Sequence, residues 1–490
     1  MFLTGLILIA LICMILCYIV FRNNTHLSNI PIPPCSLLLG HLLDFKDSTK
    51  ILKILTNYTI QYGGLLRIYV PPTRPSVLIS DSEALQVLLA SNTEVEKAKD
   101  YNFCKPWLGS GLLTSGVDKW KYHRRMLTPC FGRLSLLKNF TDVFDAFGNI
   151  LIKKFEAEVN NKNINIFPLI KMYSLDVLCE TSMGTSVDAQ ENSEGEYVKS
   201  LERMCEIVIN RSQSPYKRFD FIYRFTEDYR RQTEALKIIN CFFCDIIKAK
   251  GQIKDETKKN RGNNLKIAFL DLLLKFYADD KFTLNDVKDE VNTFLLGGHD
   301  TTATGIAFTL YALARHPKIQ EKLIEEQLNI FGKLNNNSPS YDDLQNMKYL
   351  EMVIYETLRL YPPIPLIGRR IINDTDIGNG VILPKYLNVG LFIYGCHHNP
   401  KYFADPEKFI PERFEGNNVK PYTFLPFSSG PRNCIGKKFA VLQMKSCISK
   451  IVRHFILQPS DPEYKLKLVP RMTLVARNGI RLSLRKRISD

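Results

Sequence analysis

The chain has 490 residues, 45% of them hydrophobic, so it can bury a large core, and no low-complexity stretch divides it after residue 40. The 65 Lys and Arg residues outnumber the 50 Asp and Glu residues, which gives a formal net charge of +15. The basic residues are scattered and no nucleic-acid motif is present. A basic balance suits nucleic acid, an anionic membrane or an acidic protein partner. The missing motif and the scatter disfavour nucleic acid and favour a solvated surface with some attraction to membranes, or an acidic partner.

The twelve cysteines stand at irregular spacings, several of them inside apolar runs, as reduced and buried thiols do. Cys241 and Cys244 form an isolated CxxC beside Phe242 and Phe243. No second pair stands at zinc-binding spacing, so we expect both cysteines to pack in the core. The large domain after the N-terminal segment is predicted to face a reducing compartment.

The N-terminal segment at residues 2–21 carries no charged side chain. As a helix with a rise of ~1.5 Å per residue it would reach ~30 Å, the thickness of a bilayer core. The basic region and the small-residue cleavage site of a signal peptide are missing before Arg22, which favours a retained transmembrane anchor. Arg22 favours a cytosolic location for the chain that follows. The predicted boundaries are an anchor at 1–21, a Pro-rich linker at 22–40 and one catalytic domain at 41–490.

The rest of the chain predicts more helix than strand. Strand-like runs at 65–70 and 76–80 flank a proline-rich turn, and Ser82 is the predicted cap of a helix that ends at Leu89. The other predicted elements are a mostly helical region to about 280 that an exposed polar loop breaks at 248–264, a long helix from its cap Thr283 to about Arg315, helices at 318–331 and 343–360, an irregular segment at 397–426, a helix from Lys437 and C-terminal strands. The fold class is therefore mainly α with a smaller β portion.

Two glycine-containing patterns stand out in this organisation. Residues 109–111 (GSG) look like the start of a phosphate-binding loop, but Thr114 breaks the pattern GxGxxG, so we interpret them as an ordinary loop. Residues 295–302 (LLGGHDTT) lie in the middle of the predicted long helix, where each glycine costs ~1 kcal/mol relative to alanine. A locally unfavourable run inside a strong helix marks a close approach or a function.

The strongest chemical pattern is the run at 427–436 (FSSGPRNCIG), which places Cys434 in a Gly/Pro-shaped loop directly before a helix. Backbone N–H groups and the positive end of the helix point at such a sulfur, so we expect them to lower the pKa of the thiol. Gly430 and Gly436 are predicted to allow turns that other residues adopt only at a cost.

This run resembles the cysteine loop of the cytochromes P450, whose pattern FxxGxxxCxG it matches at every fixed position. The resemblance implies the cytochrome P450 fold as a single haem domain behind the transmembrane anchor helix. It implies haem b, iron protoporphyrin IX, held by the Cys434 thiolate as the metal ligand, with Phe427 among the cofactor-binding residues. Thiolate ligation favours cleavage of the O–O bond. The implied activity is a monooxygenase that inserts one oxygen atom from O2 into a lipophilic substrate with NADPH-derived electrons.

Further matches stand at the family's spacings. Glu356 and Arg359 form an ExxR on one helix face, and with Arg413 they resemble the family's buried structural Glu–Arg–Arg network. The residues that resemble the family's haem-propionate contacts are Trp120, Arg124, Arg369 and Arg432. Arginine suits that role because its planar fork meets a carboxylate with two hydrogen bonds.

The run at 297–302 matches the family's [AG]GxDT pattern in the long helix. By this resemblance, Asp300 and Thr301 are the catalytic acid–alcohol pair. A hydroxyl beside a carboxylate can relay protons through water, and oxygen activation needs two of them. The glycines are expected to leave room for oxygen.

Several segments, including 111–114 and 298–302, look like family four of the cytochromes P450, the fatty-acid ω-hydroxylase branch. Many members of that branch carry a glutamate that esterifies the haem, and its position here is Gly297. We therefore expect non-covalent haem. A fatty acid is the favoured substrate, and a xenobiotic or isoprenoid remains open.

The resemblance also implies partners and a location. We expect NADPH-cytochrome P450 reductase as the electron donor, with cytochrome b5 as a second candidate, at an endoplasmic reticulum membrane with the catalytic domain in the cytosol. The predicted basic patch for this partner comprises Lys121, Arg125, Lys437 and Lys438. Two alternatives are a haem-thiolate isomerase or dehydratase that needs no reductase, and a non-enzymatic haem protein. Asp300 and Thr301 argue against both.

Overall fold

The computed structural model describes residues 27–36, 39–71, 75–132, 134–214, 216–257, 268–334 and 337–487. The predicted anchor at 1–21 and the first residues of the predicted linker lie outside this part of the chain. Within the described ranges, no helix combines the length and the apolar character that crossing a bilayer requires.

The described chain is mainly helical, as the sequence predicts. The helices are α1 (Ile51–Gln61), α2 (Ser82–Ala90), α3 (Lys105–Leu108), α4 (Val117–Gly132), α5 (Leu134–Ala157), α6 (Phe167–Met183), α7 (Glu196–Gln213), α8 (Asp220–Tyr223), α9 (Glu227–Thr257), α10 (Phe269–Ala278), α11 (Leu284–Arg315), α12 (Pro317–Phe331), α13 (Tyr341–Asn346), α14 (Lys348–Leu360), α15 (Ile393–His397) and α16 (Lys437–His454). Two 3-10 segments, Lys99–Cys104 and Pro411–Asn417, accompany them.

The strands form small sheets at the edge of the helical body. They are β1 (Leu65–Ile68), β2 (Ser76–Ile79), β3 (Ile164–Asn165), β4 (Ile367–Arg370), β5 (Thr375–Asp376), β6 (Ile382–Leu383), β7 (Asn388–Leu391), β8 (Phe455–Pro459), β9 (Leu468–Pro470), β10 (Leu474–Ala476) and β11 (Arg481–Lys486). One sheet has the order β1-β2-β7-β4, another β3-β11-β8, and β5–β6 and β9–β10 are separate pairs. In the first sheet β2 runs parallel to β7, while β4 pairs antiparallel with β7 and sets Arg369 opposite Val389.

Several predicted boundaries are confirmed and others are wrong. Thr283 caps α11, since its hydroxyl accepts the N–H of Asp286 at 3.1 Å. The cap of α2 is Asp81 rather than Ser82, because the Asp81 carboxylate accepts two N–H groups of the first turn. The predicted loop at 248–264 is wrong over 248–257, which continue α9, and 258–267 lie outside the described residues. The predicted helix at 343–360 is two helices that meet at Met347.

The cysteine predictions divide in the same way. Cys179 and Cys447 are buried, as expected for reduced core thiols. The expectation that Cys241 and Cys244 pack in the core is wrong, because both are exposed. Phe243 between them takes the buried side of α9, with 6% of its surface exposed. Both sulfurs therefore face outward from that helix.

The long helix α11 runs through the core and is buried along most of its length. Its small residues allow other helices to approach. At Gly305 a Cβ atom would lie 2.9 Å from Sδ of Met444 in α16, and at Gly298 it would lie 2.8 Å from Cδ1 of Leu178 in α6. Both distances are shorter than side chains tolerate, so these glycines permit the close crossings. The helix that follows Cys434 thus packs directly on α11.

A fully buried ion pair joins α14 to the irregular segment that follows α15. Glu356 and Arg359 have no exposed side-chain surface and meet through two hydrogen bonds of 2.8 Å. Arg413 donates to the same carboxylate at 3.2 Å. Arg359 also donates to the carbonyl groups of His397 and Pro406, at 2.9 and 2.7 Å. The predicted Glu–Arg–Arg network is present, and the remaining Arg359 donors fix the backbone at 397–406 against α14.

We predict that Arg359→Ala lowers the free energy of unfolding by about 3–5 kcal/mol, because it leaves a buried carboxylate unpaired. The measurement is urea denaturation of the haem-loaded protein. Arg230→Ala is the control, since Arg230 pairs with Glu227 at the surface with 69% and 60% of the two side chains exposed. This variant should unfold like the wild type. Equal losses in both variants would contradict a structural role for the buried network.

Candidate functional site

The cysteine loop is a tight turn that only certain residues fit. The Cys434 N–H donates to the Phe427 carbonyl at 2.9 Å. Gly430 has a φ of +68°, and a Cβ atom there would lie 1.8 Å from the Leu89 carbonyl oxygen, so glycine is required. The prediction for Gly436 is wrong, because its φ of −89° is open to any residue. The N–H of Gly436 instead faces the Cys434 sulfur.

The acidity of Cys434 departs from the sequence prediction. Burial raises the pKa of the thiol, and the Gly436 N–H, Arg124 and Lys437 act in the opposite direction without cancelling it. The expected net lowering by the loop and the helix end is therefore wrong for the protein alone. The loop therefore places the sulfur at the start of α16, beside the Gly436 N–H, Arg124 and Lys437.

Arg432 connects the cysteine loop to the segment before α4. Its guanidinium donates to the carbonyl groups of Val95, Leu112 and Ser115 at 3.1, 3.1 and 3.2 Å. It also lies over the ring of Trp120, 4.1 Å from the ring centroid. Arg432 therefore holds three stretches of chain around one point.

Positive charges gather around Arg432 without a carboxylate in ion-pair contact. Arg369 is 2% exposed, and its Nη1 atom has no hydrogen-bond partner. The backbone of Lys97 forms an isolated antiparallel β-bridge with the backbone of Arg369. Burial lowers the pKa of Arg432 to about 9, and Arg369 adds to that effect. Burial also lowers the pKa of Lys97 well below its ordinary value, and Arg369 and Arg432 lower it further.

No ion pair links these three cations to a carboxylate within the part of the chain that the structure describes. Buried cations of this kind need an anion or must give up protons. Lys97 was missed from the sequence, because a single lysine after a helix carries no motif. Only the contact of residue 97 with strand β4 brings it to the cluster. The three residues could therefore hold an anionic group.

Trp120 and Arg124 stand one helical turn apart on α4, as predicted. Trp120 is 4% exposed and packs beneath Arg432. Arg124 donates to the Asn433 carbonyl at 2.7 Å and to the Asn433 side-chain oxygen at 2.6 Å. The structure therefore brings Trp120, Arg124 and Arg432 together with Cys434, and Arg369 joins them through Arg432.

Asp300 and Thr301 are adjacent in α11, but no hydrogen bond between their side chains is present among the described contacts. The Thr301 hydroxyl donates to the Gly297 carbonyl at 2.7 Å. Asp300 accepts from the Thr473 hydroxyl at 2.5 Å, and its other oxygen lies 3.7 Å from Nζ of Lys171. Lys171 and Thr473 were missed from the sequence, because both are distant in the chain and carry no motif.

The two glycines before this pair differ in their surroundings. A Cβ atom at Gly297 would meet nothing within 4 Å, so this position faces open space. The expectation of free room is wrong for Gly298, where Leu178 fills the space next to the helix. The room above α11 is therefore at Gly297.

Comparison with known proteins gives consistent matches along the chain. The family model described as Cytochrome P450 matches residues 30–483. Cytochrome P450 4V2 from Homo sapiens is 37% identical over 469 residues, which cover 92% of this chain and 89% of that protein. Cytochrome P450 4d2 from Drosophila melanogaster is 34% identical over 499 residues, with 98% of each chain covered. The crystal structure of the cytochrome P450DA heme domain shares the fold, with a TM-score of 0.82, 22% identity and coverage of 94% and 97%.

The chain belongs to the cytochrome P450 family and is a haem-thiolate monooxygenase. Within that family it is a member of family four, as the relatives named 4V2 and 4d2 indicate. The isomerase and the non-enzymatic alternatives are set aside by this assignment.

The residues at the site fit a haem. The donor set consists of the Cys434 sulfur and a group of cations that form no ion pair with a carboxylate among the described residues, and a haem presents an iron and two propionates. The partnerless Nη1 atom of Arg369 is a donor suited to a propionate oxygen.

Proposed function

We propose that Cys434 is the thiolate ligand of the haem iron and that Arg124, Arg369, Arg432 and Trp120 hold the propionates. Lys97 joins this group on the same grounds, and Phe427 lies in the loop beside the cofactor. The cluster of buried cations next to the Cys434 loop is the observation that carries the proposal. The thiolate-ligated haem supplies the activation of molecular oxygen.

The chain's own contribution to oxygen activation is the movement of protons. We propose that Thr301 presents its hydroxyl at the open side of α11 and that Asp300 supplies protons from outside. Asp300 is held by Thr473 and faces Lys171, whose ammonium lies 3.1 Å from Glu202. The Thr473 hydroxyl and the Lys171 ammonium both carry protons and lie next to the Asp300 carboxylate, so they can pass protons to it. Glu202 is half exposed and leads to solvent.

The substrate is proposed to be lipophilic, with a fatty acid favoured over a xenobiotic or an isoprenoid. A surface pocket lies between the 3-10 segment at 99–104 and the end of α7. Its charged lining consists of Lys99, Lys105, Arg211, Arg218, Asp100 and Asp220, and Phe103 and Pro106 add apolar surface. Among the described residues Arg211 pairs with Asp220 and Arg218 with Asp100, which leaves Lys99 and Lys105 to attract a substrate with an anionic end and an apolar body.

The proposed electron donor is NADPH-cytochrome P450 reductase, with cytochrome b5 as a second partner. Lys121 and Arg125 are exposed on α4, and Lys437 and Lys438 are exposed at the start of α16, directly after the cysteine loop. These four cations are suited to steer an acidic partner to the Cys434 side. We further propose an endoplasmic reticulum membrane as the location, with residues 1–21 as the anchor and the catalytic domain in the cytosol.

The ligand assignment predicts that Cys434→His abolishes the red-shifted Soret band of the reduced, CO-treated protein, because imidazole donates far less electron density than thiolate. Absorption spectra of the purified proteins measure this. Cys396→Ser is the control, since Cys396 is a buried thiol that bonds only to carbonyl groups. A Cys434→His protein with the wild-type band would show that another cysteine binds the iron.

The pocket assignment predicts that Lys105→Gln raises KM for a long-chain fatty acid by about fivefold, the size of an exposed charge pair. Turnover of the fatty alcohol with the same chain length should change little, because it has no carboxylate. Product formation with reductase, followed by mass spectrometry, measures both. Arg230→Gln on α9 is the matched surface control. Equal effects on acid and alcohol would remove carboxylate recognition from this pocket.

The Gly297 position predicts how the haem is attached. Because Gly297 offers no carboxylate, acidified organic solvent should extract all of the haem from the native enzyme. Gly297→Glu should retain part of the haem covalently, with some loss of stability where the added side chain overpacks. Gly297→Gln is the control, with the same bulk and no ester-forming carboxylate. Haem that stays with the native protein would reveal an unforeseen attachment residue.

A further inference from the structure

An acidic face of α11 lies far from the proposed proton relay and binds two other parts of the chain. Asp286, Asp289 and Glu290 stand three and four residues apart and so share one side of the helix. Against them lie α4 and the loop at 109–116, which precedes it. These three carboxylates take no part in the function proposed above.

The most buried contact on this face joins His123 of α4 to Glu290 of α11. The Nδ1 atom of His123 lies 2.6 Å from the Glu290 carboxylate, and the two side chains are 3% and 0% exposed. The His123 ring stacks on Phe282 at a centroid distance of 4.4 Å. The second carboxylate oxygen of Glu290 accepts the N–H of Leu112 at 3.1 Å. Glu290 thus binds the helix and the loop at once.

The loop itself is built to press against this face. The N–H of Ser110 donates to Asp289 at 2.8 Å. Cβ atoms at Gly109 and Gly111 would lie 2.1 Å from Asp289 and 2.3 Å from Thr293, so no larger residue fits either position. The glycines at 109 and 111 therefore serve close packing on α11. The glycines that make residues 109–111 look like a phosphate-binding loop are therefore explained by this packing.

The other charged groups that face the pair are also fixed. Lys119 forms an ion pair with Asp286 and donates to the Ser110 hydroxyl at 2.6 Å. Nε2 of His123 lies 3.8 Å from Asp286. Burial raises the pKa of Glu290, and His123 opposes that effect most strongly. In this pair, His123 is therefore the main group that stabilises the charged form of the buried Glu290 carboxylate.

A short path leads from this pair to the proposed propionate residues. The N–H of Leu112 donates to the Glu290 carboxylate, and the carbonyl of Leu112 accepts a hydrogen bond from Arg432 at 3.1 Å. On α4, His123 precedes Arg124, which is bonded to Asn433 of the cysteine loop. The Glu290 carboxylate is therefore linked to Arg432 through Leu112, and to the helix that carries Arg124 through His123.

We propose that His123 and Glu290 are positioning residues for the haem, which act by fixing Arg124 and Arg432 relative to α11. This inference rests on the assignment of those two arginines to the propionates under the proposed function. The pair sets how tightly the chain retains its cofactor.

The test is the rate of haem transfer from the purified holoenzyme to excess apomyoglobin. His123→Phe keeps the ring stack on Phe282 and removes the bond to Glu290. It should speed transfer by about tenfold, the size of a typical coupling between sites. Asp145→Asn is the matched control, because Asp145 forms an equally buried ion pair with Lys450 at 2.7 Å away from α4 and α11. Its transfer rate should stay within about twofold of the wild type even where its melting temperature falls.

The double variant His123→Phe/Glu290→Met separates positioning from mere stability. An apolar pair of similar volume commonly restores the stability lost by breaking a buried ion pair. We expect the melting temperature to recover while haem transfer stays fast, because the directional bonds to α4 and Leu112 are still missing. Recovery of both quantities would overturn the proposal. So would a His123→Phe transfer rate no faster than that of Asp145→Asn at a comparable loss of melting temperature. Arg124→Ala is measured alongside. Unchanged transfer in that variant alone would overturn the propionate assignment instead.

Discussion

The architecture around the site depends on the fully buried ion pair between Glu356 and Arg359. Its donors extend to His397, whose pKa burial and the nearby Arg359 hold well below the ordinary value, so the ring is neutral. Nε2 of that ring accepts the Leu425 N–H at 2.8 Å, so the proton is on Nδ1, which donates to the Arg359 carbonyl at 3.1 Å. The Leu425 carbonyl in turn accepts the N–H of Ser428 at the start of the cysteine loop. Hydrogen bonds from Arg359 through His397 and Leu425 to Ser428 therefore fix the position of the cysteine loop relative to α14.

Charge pairing separates structural from functional sites in this molecule. Lys445 and Lys450 are buried, and each has a carboxylate partner within 2.7 Å. Among the described residues Lys97, Arg369 and Arg432 form no ion pair with a carboxylate, and burial lowers the pKa of each. Three such cations in one place are suited to an anionic ligand.

The sequence was informative where a motif or a local rule decides the structure. The cysteine loop, the Glu356–Arg359 pair and the Thr283 cap depend on residues close in the chain, and the structure has all three. It was uninformative where a contact joins distant segments. Lys97 reaches Arg369 only through the packing of β4, and no local pattern indicates that Glu290 meets His123. The polar stretch at 248–257 predicts a loop but continues helix α9, because charged residues suit the solvent side of a helix as well as a loop.

Helix α11 shows how one element serves these different demands. Thr293, Thr301 and Thr309 each donate to the carbonyl four residues earlier at 2.7 Å, a bond that weakens and bends helices. Packing compensates at both ends, since Glu290 is bound by α4 and Gly305 lies against Met444 of α16. In the middle, Leu178 of α6 packs on Gly298 and the Ser174 hydroxyl donates to the His299 carbonyl at 2.9 Å, whereas Gly297 has nothing within 4 Å of a Cβ position. Because these contacts hold the helix beside Gly297 as well as at its ends, it keeps its course through a segment whose own residues disfavour it.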